Sequence, residues 1–270
     1  MPVEDINGTP LSYEEMGRGE PLVLVHGSWG EGETWGFVVP GFAESFGVVT
    51  YDRRGHGRSS GPPEDGTVHD DVADLVALIE KLGIAPANIV ANSYGACIAL
   101  RLTVERPELV RRTAGHEPPF LPLLADDPEA KAILETSAES IEAVRQLLKA
   151  GAHATGAEQF VETVALGPGM WSEIPPPMQE MFVRHAPTFL GELNDPDALM
   201  IDLGALGAVS SPVLLSHGNQ SPPMFAPIIE RLARALPGAH RHTFAGAGHV
   251  PQLTHADDYV AVVKSFIQST

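Results

Sequence analysis

The sequence predicts an α/β fold with a mostly parallel central sheet, helices on both faces and a helical insertion. Three observations support this. Short apolar segments alternate with segments of helical periodicity over 1–119 and again over 206–270. Between them, residues 120–205 are rich in Ala and Glu and show no strand pattern. The length of 270 residues suits one large α/β domain that carries such an insertion.

The first segments of the chain have strand patterns. The stretch INGTPLSYEEMG has a turn signal between two extended segments and predicts a hairpin. PLVLVHG (21–27) is almost wholly apolar and ends in Gly, which is typical of a strand buried on both faces. GVVTYDRRGHG (47–57) begins as another such strand.

Residues 67–83, TVHDDVADLVALIEKLG, predict a helix because their apolar residues recur at helical spacing. A Thr and acidic residues open this segment, and Lys81 and Gly83 close it, so both ends suit the helix dipole. ANIVANSYG (87–95) then predicts a strand that enters a tight turn, and ACIALRLTVERP predicts the helix that leaves it. LVRRTAGHEPP (109–119) is a further candidate strand.

The end of the chain returns to the alternating pattern. Segments 212–218, 225–238 and 240–249 predict strand, helix and strand, and 256–268 predicts a closing helix. In the insertion we expect helices near 127–150 and 156–165. We expect the insertion to form a lid over the carboxyl edge of the sheet, where open α/β folds bind ligands. The alternative is an independent helical domain.

Composition limits the partners and the location. The formal net charge of −18, from 35 acidic and 17 basic side chains, argues against nucleic acid as a partner. The single cysteine, Cys97, excludes an internal disulfide and a Cys-rich zinc site. The N-terminal stretch MPVEDINGTP lacks the pattern of a signal peptide, and no apolar run approaches the roughly 18 residues that span a bilayer. We therefore expect a cytoplasmic monomer or homodimer without a membrane partner.

The stretch ANSYG (91–95) has the small-x-Ser-x-Gly form of a nucleophile elbow. In such an elbow a strand turns sharply into a helix, and small flanking residues let the two elements approach. Ser93 would stand at the apex, with Ala91 in place of the usual first Gly. The alternative is that Ser93 only caps the following helix.

Two Gly-containing loops supply the partners of such a nucleophile. HGSWG (26–30) follows the first central strand, where the backbone N–H of Ser28 would face a developing oxyanion together with that of Tyr94. GAGHVPQ (246–252) places His249 after the last strand as a candidate general base. The order of Ser93 before His249 agrees with this arrangement.

Taken together, HGSWG, DRRGHGRS, ANSYG and GAGHVP resemble the α/β-hydrolase family over nearly the whole chain. One position departs from the family pattern. Most members have Asp in a G-x-x-D stretch after the penultimate strand, and here GNQS places Ser221 there. A serine cannot supply the negative charge that stabilises an imidazolium.

A carboxylate at the end of another central strand could replace the missing Asp. Glu117, in GHEPP (115–119), follows the strand after the nucleophile's helix. HEPP resembles the H-E-x-P stretch of zearalenone-type lactonases, in which the glutamate is the triad acid, so the resemblance implies a triad of Ser93, Glu117 and His249. The alternative is a structural carboxylate at the Pro-Pro turn, with Asp202 as a weaker candidate acid.

The resemblance implies a serine hydrolase that cleaves carboxylic esters or lactones through an acyl-enzyme, without a metal or organic cofactor. The candidate substrate-binding residues are Trp29, His116, Met170 and Trp171. Small-molecule sites of such folds are mostly apolar, and no Arg cluster is apparent that would bind a highly charged substrate, so we expect an apolar small molecule. Two alternatives stay open, a carbon–carbon bond hydrolase of the same fold and a ligand receptor without turnover.

Overall fold

The computed structural model describes residues 2–61, 66–236 and 238–269. An eight-stranded sheet runs through this part of the chain. Its strands are β1 (Val3–Ile6), β2 (Thr9–Gly17), β3 (Glu20–Val25), β4 (Phe46–Tyr51), β5 (Ala87–Asn92), β6 (Val110–His116), β7 (Val213–Gly218) and β8 (His240–Phe244). Their order is β1-β2-β4-β3-β5-β6-β7-β8. The β1–β2 and β2–β4 pairs are antiparallel and the remaining pairs are parallel, which confirms the predicted hairpin and the mostly parallel sheet.

Helices cover the sheet and fill the segment between β6 and β7. They are α1 (Val39–Ala43), α2 (Val68–Leu82), α3 (Tyr94–Glu105), α4 (Lys131–Lys149), α5 (His153–Phe160), α6 (Met170–Glu173), α7 (Pro176–Asn194), α8 (Leu203–Leu206), α9 (Phe225–Ala235), α10 (Pro251–Thr254) and α11 (Ala256–Gln268). Short 3₁₀ turns occupy Gly32–Trp35, Pro107–Leu109, Leu121–Leu124 and Pro128–Ala130, and Val161–Ala165 forms a π-helical turn. None of the helices in the described ranges is long and apolar enough to cross a membrane.

The alternation of side chains along β3 shows that both faces of the sheet are covered. Val23 and Val25 belong to an apolar cluster with residues of α2 and α3. Leu22 and Leu24 point to the opposite face, into a cluster with residues of α1 and α11. Successive strand side chains point to opposite faces, so a strand packed on both sides must be apolar throughout. This confirms the interpretation of PLVLV as a strand buried on both faces.

The helix predicted over 67–83 begins and ends close to those bounds. Thr67 accepts a hydrogen bond from the backbone N–H of Asp70, whose side chain in turn accepts from the backbone N–H of Thr67. Gly83 ends α2 with φ at 65°, a left-handed conformation that glycine adopts without a Cβ penalty. The prediction of this helix is confirmed.

Between β6 and β7 the described chain contains helices and no strand, as predicted. The helices expected near 127–150 and 156–165 correspond to α4 and to α5 with its π-helical turn. The long helix α7 is not predicted by the sequence. Its run of prolines occupies the first helical positions, where a missing N–H costs nothing, but Pro187 lies inside the helix. The apolar cluster that α7 shares with α4, α5 and Trp29 stabilises it there.

Candidate active site

Ser93 lies at the sharp turn between β5 and α3. Its backbone has φ 57° and ψ −128°, a conformation that a residue with a Cβ rarely adopts. Gly95 has no room for a side chain, because an added Cβ would lie 2.4 Å from the carbonyl oxygen of Val25. Ala91, in the place of the usual Gly, is fully buried. The elbow therefore depends on Gly95 and tolerates the methyl group of Ala91.

Glu117 follows the last residue of β6 and is the partner of His249. Nδ1–H of His249 donates to Oε2 of Glu117 at 2.5 Å. The backbone N–H of Gly218 donates to Oε1 at 2.7 Å, so both carboxylate oxygens have a donor. The imidazole of His249 also stacks on Phe225, with ring centroids 4.7 Å apart. These contacts hold the ring with Nδ1 toward Glu117 and leave Nε2 free to face another group.

The surroundings of Glu117 keep its carboxylate ionised. Burial raises the pKa of Glu117, but the hydrogen bond from His249 and the neighbouring His116 and His249 rings outweigh it and lower the pKa to about 2. The Ser221 hydroxyl also favours the ionised carboxylate, although it is buried without a hydrogen bond of normal geometry. A buried, charged carboxylate thus lies beside the residue that replaces the usual Asp.

The weaker candidate acid, Asp202, has another role. Its side chain accepts hydrogen bonds from the backbone N–H groups of Gly204 and Ala205 and caps the start of α8. Asp202 is exposed at that helix end and does not line the cavity that contains Ser93. The structure therefore does not bring Asp202 to His249.

A cavity of about 520 Å³ opens beside Ser93 and His249. Most of its lining is apolar, and no Lys or Arg is among the described residues that form it. Trp29, at φ 62°, stacks on Phe160 with ring centroids 4.7 Å apart. The other apolar residues that line the cavity include Trp35, Met170, Ile174, Met178, Met181 and Phe182.

Two of the candidate substrate-binding residues lie elsewhere. His116 is fully buried behind Glu117, with Nδ1 3.0 Å from Oγ of Ser216 and Nε2 3.6 Å from Oε1 of Glu117. Burial lowers the pKa of His116 to about 4, so it is neutral at pH 7. Trp171 lines a shallow groove on the outer side of α7 and lies edge-on to Phe182. Both side chains are therefore removed from the candidate substrate site, which keeps Trp29 and Met170.

The hydroxyl of Ser93 and the ring of His249 border the same cavity, and no hydrogen bond joins them in the described structure. Contacts of this kind often tighten only when substrate binds. Ser28, which follows β3, also borders the cavity. Tyr94 is the first residue of α3, and the first N–H groups of a helix have no acceptor within that helix. The backbone N–H of Tyr94 therefore has no acceptor within α3, and the roles of Ser28 and Tyr94 as oxyanion donors stay predictions.

A charged network under the Ser28 loop is not predicted by the sequence. The hydroxyl of Ser28 donates to Oε2 of Glu192 at 2.5 Å, and Nη2 of Arg53 donates to Oε1 of the same carboxylate at 2.9 Å. Arg53 also forms two hydrogen bonds to Asp71, and all three charged side chains are buried. Only the motif DRRGHGRS marks Arg53 in the sequence, and no motif marks Glu192.

The described residues contain no group of three or more His, Cys, Asp or Glu side chains that could hold a metal ion. The candidate site itself offers a serine hydroxyl, an imidazole and a carboxylate. Such a set can carry out nucleophilic attack on a carbonyl group.

Comparison with known proteins identifies the family and the fold. The model of the Alpha/beta hydrolase family matches residues 22–262. The (E)-2-((N-methylformamido)methylene)succinate hydrolase of Acinetobacter baylyi is 35% identical over 108 residues, which are 40% of this chain and 41% of the relative. A putative non-heme bromoperoxidase, BpoC, of Mycobacterium tuberculosis is 45% identical over 102 residues, 37% of this chain and 38% of the relative. The chain thus spans about two fifths of the length of these curated relatives.

The solved structures match over almost the full chain. Est816, described as an N-acyl homoserine lactone degrading enzyme, has a TM-score of 0.75 at 24% identity and covers 98% of this chain and 100% of its own. At this level of identity the similarity shows the fold.

Proposed function

Because the chain belongs to the Alpha/beta hydrolase family, we propose that it hydrolyses carboxylic ester or lactone bonds of an apolar small molecule. One observation carries the proposal. The imidazole of His249, held by Glu117 at 2.5 Å, borders the same apolar cavity as Ser93 on its strained turn. A serine beside a histidine that is held by a carboxylate is the set of groups that acyl transfer through a serine uses, and this supports the proposal.

In the proposed reaction Nε2 of His249 takes the proton of Ser93 as Oγ attacks the carbonyl carbon. The carbonyl oxygen becomes an oxyanion and accepts hydrogen bonds from the backbone N–H groups of Ser28 and Tyr94. When the intermediate collapses, the carbon–oxygen bond to the alcohol breaks and His249 gives its proton to that oxygen. Water then attacks the acyl-enzyme by the same route and releases the acid and Ser93.

Glu117 has two roles in this sequence of steps. Its hydrogen bond to Nδ1–H of His249 fixes the tautomer in which Nε2 can accept the serine proton. Its negative charge stabilises the imidazolium that forms, and the low pKa of Glu117, about 2, keeps that charge through the neutral range. The acid thus acts through His249 and does not itself take the proton.

The lining of the cavity supports an apolar substrate. A substituted succinate, as in the name of the Acinetobacter baylyi relative, carries negative charges that no lining Lys or Arg would meet here. An apolar ester or lactone brings only one carbonyl to the polar end, beside Ser93 and His249. Residues 120–205 would then act as the lid, because Met170, Ile174, Met178 and Phe182 of this segment close the apolar side of the cavity.

The test is hydrolysis of a panel of p-nitrophenyl esters and an aromatic macrolactone by the parent and by Ser93→Ala. We expect turnover by the parent, its loss in Ser93→Ala, and an acyl adduct on Ser93 detected by mass spectrometry after rapid quenching. A parent that binds the lactone without any turnover that Ser93→Ala abolishes would contradict the proposal and favour a ligand receptor.

A further inference from the structure

The carboxylate of Glu192, on α7, contacts Ser28 directly and is linked to Tyr94 through Arg53. We propose that Glu192 is a positioning residue that fixes the backbone N–H groups of Ser28 and Tyr94. This inference rests on the proposed function for its effect on catalysis, and on the structure alone for the contacts.

The first contact of Glu192 is with the loop after β3. Its Oε2 accepts the hydroxyl proton of Ser28 at 2.5 Å, across 164 positions of the chain. Glu192 is only 7% exposed, so this hydrogen bond to a charged acceptor is shielded from water. This contact restricts the rotation of the Ser28 side chain and, through it, of the backbone that carries the proposed oxyanion donor.

The second contact reaches the nucleophile elbow through Arg53. Oε1 of Glu192 accepts from Nη2 of Arg53 at 2.9 Å. The guanidinium of Arg53 lies 4.6 Å from the centre of the Tyr94 ring, and its Nη1 donates to the carbonyl oxygen of Gly27 at 3.3 Å. Arg53 thus contacts the residue that precedes Ser28 and the residue that follows Ser93.

The charges in this network explain why it is sensitive to one side chain. Arg53 pairs with both Asp71 and Glu192, and each of the three groups is buried. Burying a charge is favourable only when its partners have good geometry, so each group restricts the positions of the others. A displacement of about 1 Å in a catalytic group can cost about 100-fold in rate. We therefore expect removal of the Glu192 carboxylate to displace the oxyanion donors and to lower kcat measurably.

Another carboxylate near the same end of α7 provides a matched control. Asp195 follows α7 and accepts the backbone N–H of Val68 at 2.7 Å, at the start of α2. It anchors the end of α7 as Glu192 does, but it forms no hydrogen bond with Ser28, Arg53 or Tyr94 in the described structure. If Glu192→Ala acted only by loosening α7, Asp195→Ala should therefore have the same effect.

The variants to compare with the parent are Glu192→Ala, Glu192→Gln, Ser28→Ala and Asp195→Ala. Gln can accept from Arg53 through its oxygen and donate to the Ser28 hydroxyl through its amide, so it should restore most of the function. We expect Glu192→Ala to lower kcat about 10- to 100-fold with KM within about threefold, below the 10²–10³ cost of losing an oxyanion donor. Inhibition by a trifluoromethyl ketone, whose adduct carries an oxyanion, should weaken by a similar factor.

Ser28→Ala tests the contact of Glu192 with Ser28 apart from its contact with Arg53. It removes the hydroxyl and keeps the backbone N–H, so we expect a smaller loss in kcat, about 3- to 10-fold. Combined with Glu192→Ala, it should add little further loss, because both changes break the same hydrogen bond. Additive losses would show that Glu192 does not act through Ser28.

A measurement without substrate decides the contact itself. Amide hydrogen exchange of residues 26–31 should accelerate in Glu192→Ala and in Ser28→Ala, and stay at the parent rate in Asp195→Ala and Glu192→Gln. Unchanged exchange in the first two variants, or equal acceleration in Asp195→Ala, would overturn the proposal. A parent without Ser93-dependent turnover would instead overturn the proposed function, and the exchange result would still decide the role of Glu192.

Discussion

Glu117 accepts a hydrogen bond from His249 at 2.5 Å, although 132 positions separate the two residues in the chain. The sheet explains their contact, because β6 and β8 flank β7 and all three strands are parallel. The residues after their carboxyl ends therefore meet at one edge. Ser221, after the intervening strand β7, lies in the same place without a charge. An acid at the end of β6 can thus reach the same imidazole that an acid after β7 would.

Removal of this acid should abolish most of the activity. We expect Glu117→Ala to lower kcat by about three to four orders of magnitude, because His249 loses both its tautomer control and the charge that stabilises its protonated form. Ser221→Ala and Asp202→Ala should stay within about threefold of the parent in the p-nitrophenyl ester assay. Full activity in Glu117→Ala would remove Glu117 from the proposed triad.

The position of Ser221 offers a rescue experiment. Ser221 is close enough to Glu117 to favour the ionised carboxylate, so an Asp at this position would lie near the same imidazole. We expect the kcat of the double variant Glu117→Gln, Ser221→Asp to be at least tenfold higher than the kcat of Glu117→Gln alone. Ser221→Asp in the parent should lower stability, because two buried carboxylates would repel each other. No recovery in the double variant would show that only the β6 position can serve His249.

The depressed pKa of Glu117 predicts an acid-dependent loss of stability. The folded-state pKa, about 2, lies below the ordinary value of 4.5, so ionised Glu117 stabilises the fold fully above pH 4.5. This stabilisation, about 3 kcal/mol, should be lost as the pH falls from 4.5 to 2. Urea unfolding of the parent and Glu117→Gln across this range should show their stability difference changing by that amount. A constant difference would contradict the assignment.

The elbow should reject a methyl group at Gly95. An added Cβ would lie 2.4 Å from the carbonyl oxygen of Val25 and 2.5 Å from that of His26, both backbone atoms of β3 and its loop. We expect Gly95→Ala to destabilise the fold by about 1–3 kcal/mol and to lower kcat at least tenfold. In the control Gly115→Ala, on β6, the Cβ would lie at an ordinary 3.5 Å from Cβ of Ala96. Equal effects of the two changes on thermal unfolding and kcat would contradict this explanation.

Two side chains of α7, one on each side of the helix, allow the role of the cavity to be tested. Met178 lines the cavity beside Ser93, and Val183 lines the shallow outer groove. We expect Met178→Ala to raise KM for esters with long acyl chains about 5- to 30-fold, because the apolar contact with the substrate is lost. Val183→Ala should leave KM near the parent value. Equal KM values for both variants across a series of acyl-chain lengths would place the acyl group elsewhere.

Local patterns were sufficient for most of the central sheet and for the order of the chemical groups. Apolar runs such as 21–27 and the capped helix over 67–83 reflect properties of consecutive residues, so they can be recognised without the fold. Ser93 and His249 can be recognised in the same way, because each lies in a short Gly-containing motif next to a predicted strand. The last strand, however, ends at Phe244, and residues 245–248 separate it from His249. Strand ends are decided by pairing with a neighbour, which the sequence of one strand does not contain.

The sequence by itself determined the α/β fold class, the strand-free segment and the candidate nucleophile and base, because these depend on residue types at short spacing. Only the tertiary structure decided that Trp171 lines the outer groove of α7 and not the cavity, that Asp202 caps α8 and that His116 lies behind Glu117. It alone brought Glu192 to Ser28 and Arg53. These contacts join residues far apart in the chain, and their positions follow from how whole helices pack on the sheet. No local pattern encodes that packing.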